Sequence, residues 1–142
     1  MMTYDYREKK FVVVLSSKLE IGVAFNVTAH LCLSVGYNAS EHMGRQMLVD
    51  ASNISHIGIS KYPIIITKVK PSKLREYLHK AKSNEKLIVI DYPSNMYETG
   101  HDDELAESIS KTDEEKMDYF GFVLFGNRSD VDEITGKFSL WV

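Results

Sequence analysis

The stretch from Lys10 to Gly36, KFVVVLSSKLEIGVAFNVTAHLCLSVG, carries the strongest statement about fold in the 142-residue chain. Phe11 to Leu15 is a continuous apolar run rich in valine, which reads as a strand covered on both faces. A polar turn and Gly22 separate it from a second apolar segment, Asn26 to Val35. In that segment Val27, Ala29, Leu31, Leu33 and Val35 leave little polar surface, the pattern of a helix buried against a sheet. Strand, turn and buried helix together predict the opening of an α/β domain.

The rest of the chain continues the alternation. After breakers at Gly36, Asn38 and Ser40, residues 41–60 hold a turn at Gly44, a short apolar piece at Met47 to Val49 and a polar loop. Tyr62 to Lys68 is a β-branched run with Pro63 confined to its start, so it is read as the second main strand. Pro71 and Ser72 open a helix whose Leu74, Tyr77, Leu78 and Ala81 recur at i, i+3, i+4 and i+7. Leu87 to Ile90 is a short strand ending at Asp91, ahead of a Tyr92-Pro93-Ser94-Asn95 turn. Thr99 to Asp102 leads into a helix carrying Leu105 and Ile109, and Thr112 with Glu115 has capping-box spacing. Phe120 to Phe125 is a strand, Ser129 to Ile134 a short helix, and Lys137 to Trp141 a final strand-like piece. The expectation is a single three-layer α/β domain spanning residues 1–142, with a central, largely parallel or mixed sheet of four to five strands.

Composition narrows the function classes. Hydrophobic residues at 44% and charged residues at 26% are those of a globular domain rather than a disordered or fibrous chain. The lone Cys32, between two leucines, excludes an intramolecular disulfide framework and reads as an inert packed thiol in a reducing compartment. The first ten residues lack the apolar core of a secretory leader, and no apolar run has the length of a membrane span. A cytoplasmic protein without membrane partners is expected. Net charge is −3, but seven Lys and Arg fall within residues 68–86, while thirteen Asp and Glu lie between Asp91 and Glu133. The basic segment reads first as a solvated helix face, with a phosphate-binding face and tRNA as the alternative.

Several of these segments resemble known proteins. A strand, a glycine turn and a buried helix open the type II peptidyl-tRNA hydrolases, whose Met-Gly-Lys-Gly-Lys motif stands where this chain has Ile21-Gly22-Val23-Ala24-Phe25. The ending FVLFGNRSDVDEITGKFSLWV is similar to their strand, glycine turn and short helix. The closer resemblance is to an uncharacterised branch of that superfamily, the domain-of-unknown-function two thousand family. It is carried by Asn26 to Ala29, Val49 to Ala51, Thr99 to Asp102 and Phe122 to Gly126. The likeness implies a peptidyl-tRNA hydrolase II-like fold, but Val23 and Phe25 replace the motif lysines, and neither can stabilise a developing oxyanion. Of the family's Asp-Ala-Gly-Arg-Thr segment, only the aspartate is matched, by Asp91.

Two readings of function follow. The first is a protein without the hydrolase activity that binds an unknown small ligand or protein partner, with Asn26, Thr28 and Gly100 as ligand contacts. The second is a divergent hydrolase using Asp91, Thr99 and His101. Asp91 at a strand end suits a site, since open α/β sheets bind ligands beyond their strand ends, and it equally suits a turn before Pro93. Asn26 and Thr28 serve either as caps or as ligand contacts at a helix start, and Thr99-Gly100 as a helix entry. His101 next to Asp102 and Asp103 has no partner cluster in the sequence, so no metal is expected. No cofactor is expected either, because the glycines form neither a P-loop nor a dinucleotide fingerprint. Self-association is left open.

Overall fold

The computed structural model describes residues 4–42, 44 and 47–142. Its elements are β1 (Lys9–Ser16), α1 (Ile21–Asn38), a 3-10 turn at Ser40–His42, β2 (Met47–Val49), β3 (Ser55–Ile57), β4 (Ile64–Val69) and α2 (Pro71–Lys82). They continue with β5 (Ile88–Pro93), α3 (Ser94–Glu98), α4 (Asp102–Ser110), a 3-10 turn at Glu114–Lys116, β6 (Tyr119–Asn127), α5 (Arg128–Thr135) and β7 (Ser139–Leu140). Five strands form one sheet in the order β5-β6-β1-β4-β7, and β2 and β3 pair as a separate hairpin.

The strand predicted from Phe11 to Leu15 is the middle of this sheet. It alternates its side chains between two cores: Phe11, Val13 and Leu15 meet Ala24, Val27, Leu31 and Val35 of α1. Val12 and Val14 meet Leu74, Leu78 and Ala81 of α2 and Val131 of α5. A strand buried on both sides can carry apolar residues at every position, which is why the sequence shows no alternation there.

Of the two sheets expected, largely parallel or mixed, the structure has the mixed one: only β1 and β4 run parallel, while β1–β6, β5–β6 and β4–β7 are antiparallel. A continuous apolar run reports coverage by helices on both faces, and antiparallel strands so covered carry it equally. Gly121 sits where β6 is paired on both sides, opposite Leu15 and Tyr92. A Cβ there would lie 2.6 Å from the Val14 carbonyl oxygen.

Helix α1 also departs from expectation. It begins at Ile21, not Asn26, because Ala24 is already buried against the sheet and that packing outweighs the poor helix propensity of Gly22. Nor is it buried all round. Only the stripe Ala24, Val27, Leu31 and Val35 is covered, whereas Phe25, Leu33 and Tyr37 on its outer side are 68, 75 and 85% exposed. Residues 41–60, expected as a turn, an apolar piece and a polar loop, instead supply the β2–β3 hairpin; the turn expected at Gly44 adjoins positions outside the described residues. The Thr112–Glu115 capping box does not form. Asp113 precedes the 3-10 turn without a side-chain cap, and the Thr112 hydroxyl donates to the Ser108 carbonyl instead (2.8 Å). No helix among the described residues is long and apolar enough to cross a membrane.

Candidate functional site

The site is built at the corner between α3 and α4, held against α1. Asn95 of α3 is buried, and its amide donates to the Ser108 hydroxyl (2.7 Å) and the Thr112 hydroxyl (3.3 Å). These bonds tie the far end of α4 back onto α3. The Thr99 hydroxyl donates to the Asn95 carbonyl (2.8 Å), which closes the end of α3. The backbone then turns through Gly100 into α4, where His101 is the N-cap. Its Nδ1 accepts the Asp103 N–H at 3.1 Å, and Glu104 reaches back to accept the Gly100 N–H at 3.3 Å. The two bonds satisfy amides at the helix start, with an imidazole as the N-cap acceptor for the N2 amide and Glu104 accepting from the residue before the cap. Because Nδ1 accepts, the neutral ring carries its proton on Nε2, leaving an N–H donor for a ligand.

This corner and α1 enclose an open cleft of ≈ 440 Å³ lined by His30, Met96, Thr99, Gly100, His101, Asp102 and Leu105. Through His30 and Met96 it continues into an apolar groove of ≈ 540 Å³ along Leu33, Tyr37, Ile90 and Tyr92. Tyr92 floors the junction, with its ring 6.0 Å from that of His30 and stacked on Phe120 at the same distance. Burial, followed by the nearby Tyr97, pushes the Tyr92 phenol above its ordinary range, so it stays protonated. His30 makes no side-chain hydrogen bond among the described residues, and its ring is available to a ligand.

Charge at the mouth of the cleft is one-sided. Asp102, Asp103 and Glu104 fill the first turn of α4, where they offset the positive end of the helix dipole and leave a negative surface. The arrangement suits a ligand with a cationic or donor head beside His30 and Asp102, whose side chains can accept, while the His101 Nε2–H is left for an acceptor group. An apolar body would lie along Met96, Leu33 and Tyr37. Among the described residues no group of three or more His, Cys, Asp or Glu side chains is placed to hold a metal ion.

Three of the sequence candidates therefore meet: Thr99, Gly100 and His101 line one cleft. Asp91 stands apart. It lies within β5 rather than at its end, lines only the neighbouring groove, and its carboxylate pairs with Lys82 of α2 at 2.6 Å. Asn26 and Thr28 fall in the second turn of α1, where they neither cap it nor line the cleft. Cys32 is partly buried, and burial pushes its thiol above the ordinary range, as suits a packing residue.

His30 is the residue that sequence reasoning missed. It stands one turn beyond Asn26 inside an apolar run, and its signal was that of an imidazole on an otherwise hydrophobic helix. The basic segment of residues 68–86 is largely satisfied within the molecule. Arg75 bonds Glu114 (3.2 Å), Lys73 and Lys80 both reach Glu76 (3.4 Å each), and Lys82 holds Asp91.

Fold and cleft define a mixed α/β protein with helices on both faces of a five-stranded sheet and an open cleft at a helix corner. The chain belongs to the family described as "Protein of unknown function (DUF2000)", whose model matches residues 9–142. Among solved structures it is similar to the protein of unknown function Atu0240 from Agrobacterium tumefaciens strain C58. That likeness has a TM-score of 0.82 at 24% identity and covers 95% of this chain and 98% of the other. It is a likeness of fold. No curated protein matches the chain.

Proposed function

We propose that this chain is a single binding domain of peptidyl-tRNA hydrolase II-like ancestry that has no peptidyl-tRNA hydrolase activity. Its ligand is a small amphiphile with a cationic head, held in the cleft between α1 and the α3–α4 corner. The observation that carries this reading is the convergence of His30, Thr99 and His101 on one cleft that has an acidic mouth and an apolar extension. At the positions of the hydrolase lysines, Val23 packs against the core and Phe25 projects outward. Neither side chain can carry charge. The internal pairing of the basic helix leaves few cations for a polyanion, which weighs against tRNA as the partner.

The test uses phenethylamine and 3-phenylpropionate as probes of similar size and opposite charge. Phenethylamine is expected to bind with a dissociation constant on the order of 1 mM, in keeping with its small number of atoms. The carboxylate should bind at least ~10-fold more weakly, and peptidyl-tRNA should be left intact. Preference for the carboxylate, or metal-independent cleavage of peptidyl-tRNA, contradicts the reading.

A divergent ester or amide hydrolase is the second reading, favoured by two imidazoles lining the same cleft. His101, held as the Nε2–H form, would donate, and His30 would accept. Turnover of p-nitrophenyl acetate that is abolished in His30→Ala and retained in Asp91→Ala would establish it.

A further inference from the structure

β1 and β4 are neighbours that run parallel, and the chain leaves their carboxyl ends in opposite directions. After β1 it enters α1, which packs with Phe11, Val13 and Leu15 on one face of the sheet. After β4 it enters α2, which packs with Val12 and Val14 on the other face. Adjacent parallel strands whose following helices diverge in this way leave a crevice beyond their carboxyl ends, the place where open α/β sheets take ligands. That crevice is present here. A cleft of ≈ 360 Å³ is lined by Ser17 just after β1 and by Val69 and Lys70 at the end of β4. The Ser17 N–H bond to the Val69 carbonyl (2.9 Å) ties the two strand ends together. Its far wall is formed by Tyr77 of α2 and Phe138, whose ring centroids lie 4.6 Å apart.

The charge on the crevice has one sign. Lys70, Lys73 and Lys137 line it, and neither its lining nor the first turn of α2 holds a carboxylate. Among the described residues, the ammonium groups of Lys70 and Lys137 make no hydrogen bond or ion pair. Lys73 shares Glu76 with Lys80 at 3.4 Å each, so one carboxylate stands against two cations. Lys68 also lines the cleft but is engaged elsewhere, by the Val142 oxygen at 3.3 Å and the face of the Trp141 ring. Ser17 and Ser139 bring hydroxyl groups to the same lining. Like charges gathered around one small space repel, and an anion placed among them turns that repulsion into attraction.

We propose that this crevice binds a small phosphate monoester, with its phosphate among Lys70, Lys73 and Lys137 and its organic group against Tyr77, Phe138 and Val69. Three ammonium groups favour a dianion over the single charge of a carboxylate, and lysine serves phosphate as a point charge. The apolar wall favours an ester over the free ion. The volume falls at the lower end of the range of about 300–1,000 Å³ typical of small-molecule pockets, which fits a compact ligand rather than a polymer. This site shares no residue with the His30–His101 cleft or its apolar extension, and does not depend on the reading given to them.

Titration of the isotope-labelled full chain with phenyl phosphate at low salt tests the proposal, at slightly alkaline pH where the phosphate is close to doubly charged. The amide signals of Ser17, Lys70, Lys73 and Ser139 should move along one curve, with a dissociation constant on the order of 1 mM. Inorganic phosphate, which has no ring to lie on the aromatic wall, should bind at least ~5-fold more weakly. Lys70→Ala and Lys137→Ala should each weaken phenyl phosphate at least ~5-fold, as loss of a charge-assisted hydrogen bond does. Both side chains are exposed and Lys70 makes no side-chain cap, so both variants should keep the circular dichroism of the folded chain. Lys86→Ala removes the same charge from an exposed position outside the crevice and should change the affinity less than about twofold. Signals that stay in place, equal affinity for inorganic phosphate, or a loss in Lys86→Ala as large as in Lys70→Ala would overturn the assignment.

Discussion

Replacing His101 by alanine removes the imidazole that caps α4 through its 3.1 Å bond to the Asp103 N–H. Loss of an N-cap costs about 1 kcal/mol. Where that cost is felt depends on burial. Helix α4 has no fully buried residue, so it can open while the sheet and its two cores stay folded. The loss should therefore appear as an approximately fivefold faster amide exchange along α4, including Leu105, whose N–H bonds the His101 carbonyl at 2.9 Å. The denaturation midpoint of the whole chain should scarcely move. His101→Asn tests the cap alone: asparagine caps well and should restore exchange protection. Hydrogen exchange read by mass spectrometry on peptides spanning α4 measures the effect. Unchanged exchange in His101→Ala, or exchange in His101→Asn as fast as in the alanine variant, would refute the capping argument.

Three further outcomes follow from the fold. Gly121→Ala places a methyl group against the Val14 carbonyl at the centre of the sheet. It should cost about 1–3 kcal/mol in urea denaturation, and a cost below 0.5 kcal/mol, on the order of a surface change, would contradict the close β1–β6 approach. Lys10, only 8% exposed, pairs with Asp132 of α5. Asp132→Ala should destabilise by about 2 kcal/mol, less than for a sealed pair because Asp132 is 41% exposed, and adding Lys10→Met should recover most of it. Asp50 is held below the usual carboxylate range, chiefly by the hydrogen bond from His56 and then by the Ile54 and Ser52 N–H groups. A depressed folded-state value means that its support of the hairpin turn is complete above the ordinary carboxylate pKa and is lost as pH falls through the lower, folded one. The Ser52 and Ile54 amides, followed by NMR, should lose protection only in that acidic window, and loss beginning near neutral pH would disprove it.

Much of the fold was legible because burial leaves a periodic trace. The FVVVL run, the Leu74-Leu78-Ala81 stripe and the Phe122 to Phe125 run each fell on the element predicted for it. Strand direction was not legible, since a run covered on both faces looks alike in parallel and antiparallel pairing. The β2–β3 hairpin was missed for a related reason: each strand is three residues long, too short for alternation to stand out. In the candidate site, Thr99, Gly100 and His101 were legible as neighbours at a helix entry. His30 was not, because the sequence does not say which side of an apolar helix will face a cleft. Asp91, expected at the C-terminal end of its strand, lies inside β5 because the strand runs on to Pro93.

The account rests on His30 and His101 acting together on one ligand. Five histidines report on this at once, since His42, His56 and His79 lie elsewhere in the fold. In a titration of the full chain with phenethylamine, followed by NMR of the imidazole carbon-bound protons, the His30 and His101 signals should move along one binding curve. Those of His42, His56 and His79 should stay in place. Movement of neither cleft histidine, or equal movement of all five, would contradict the site.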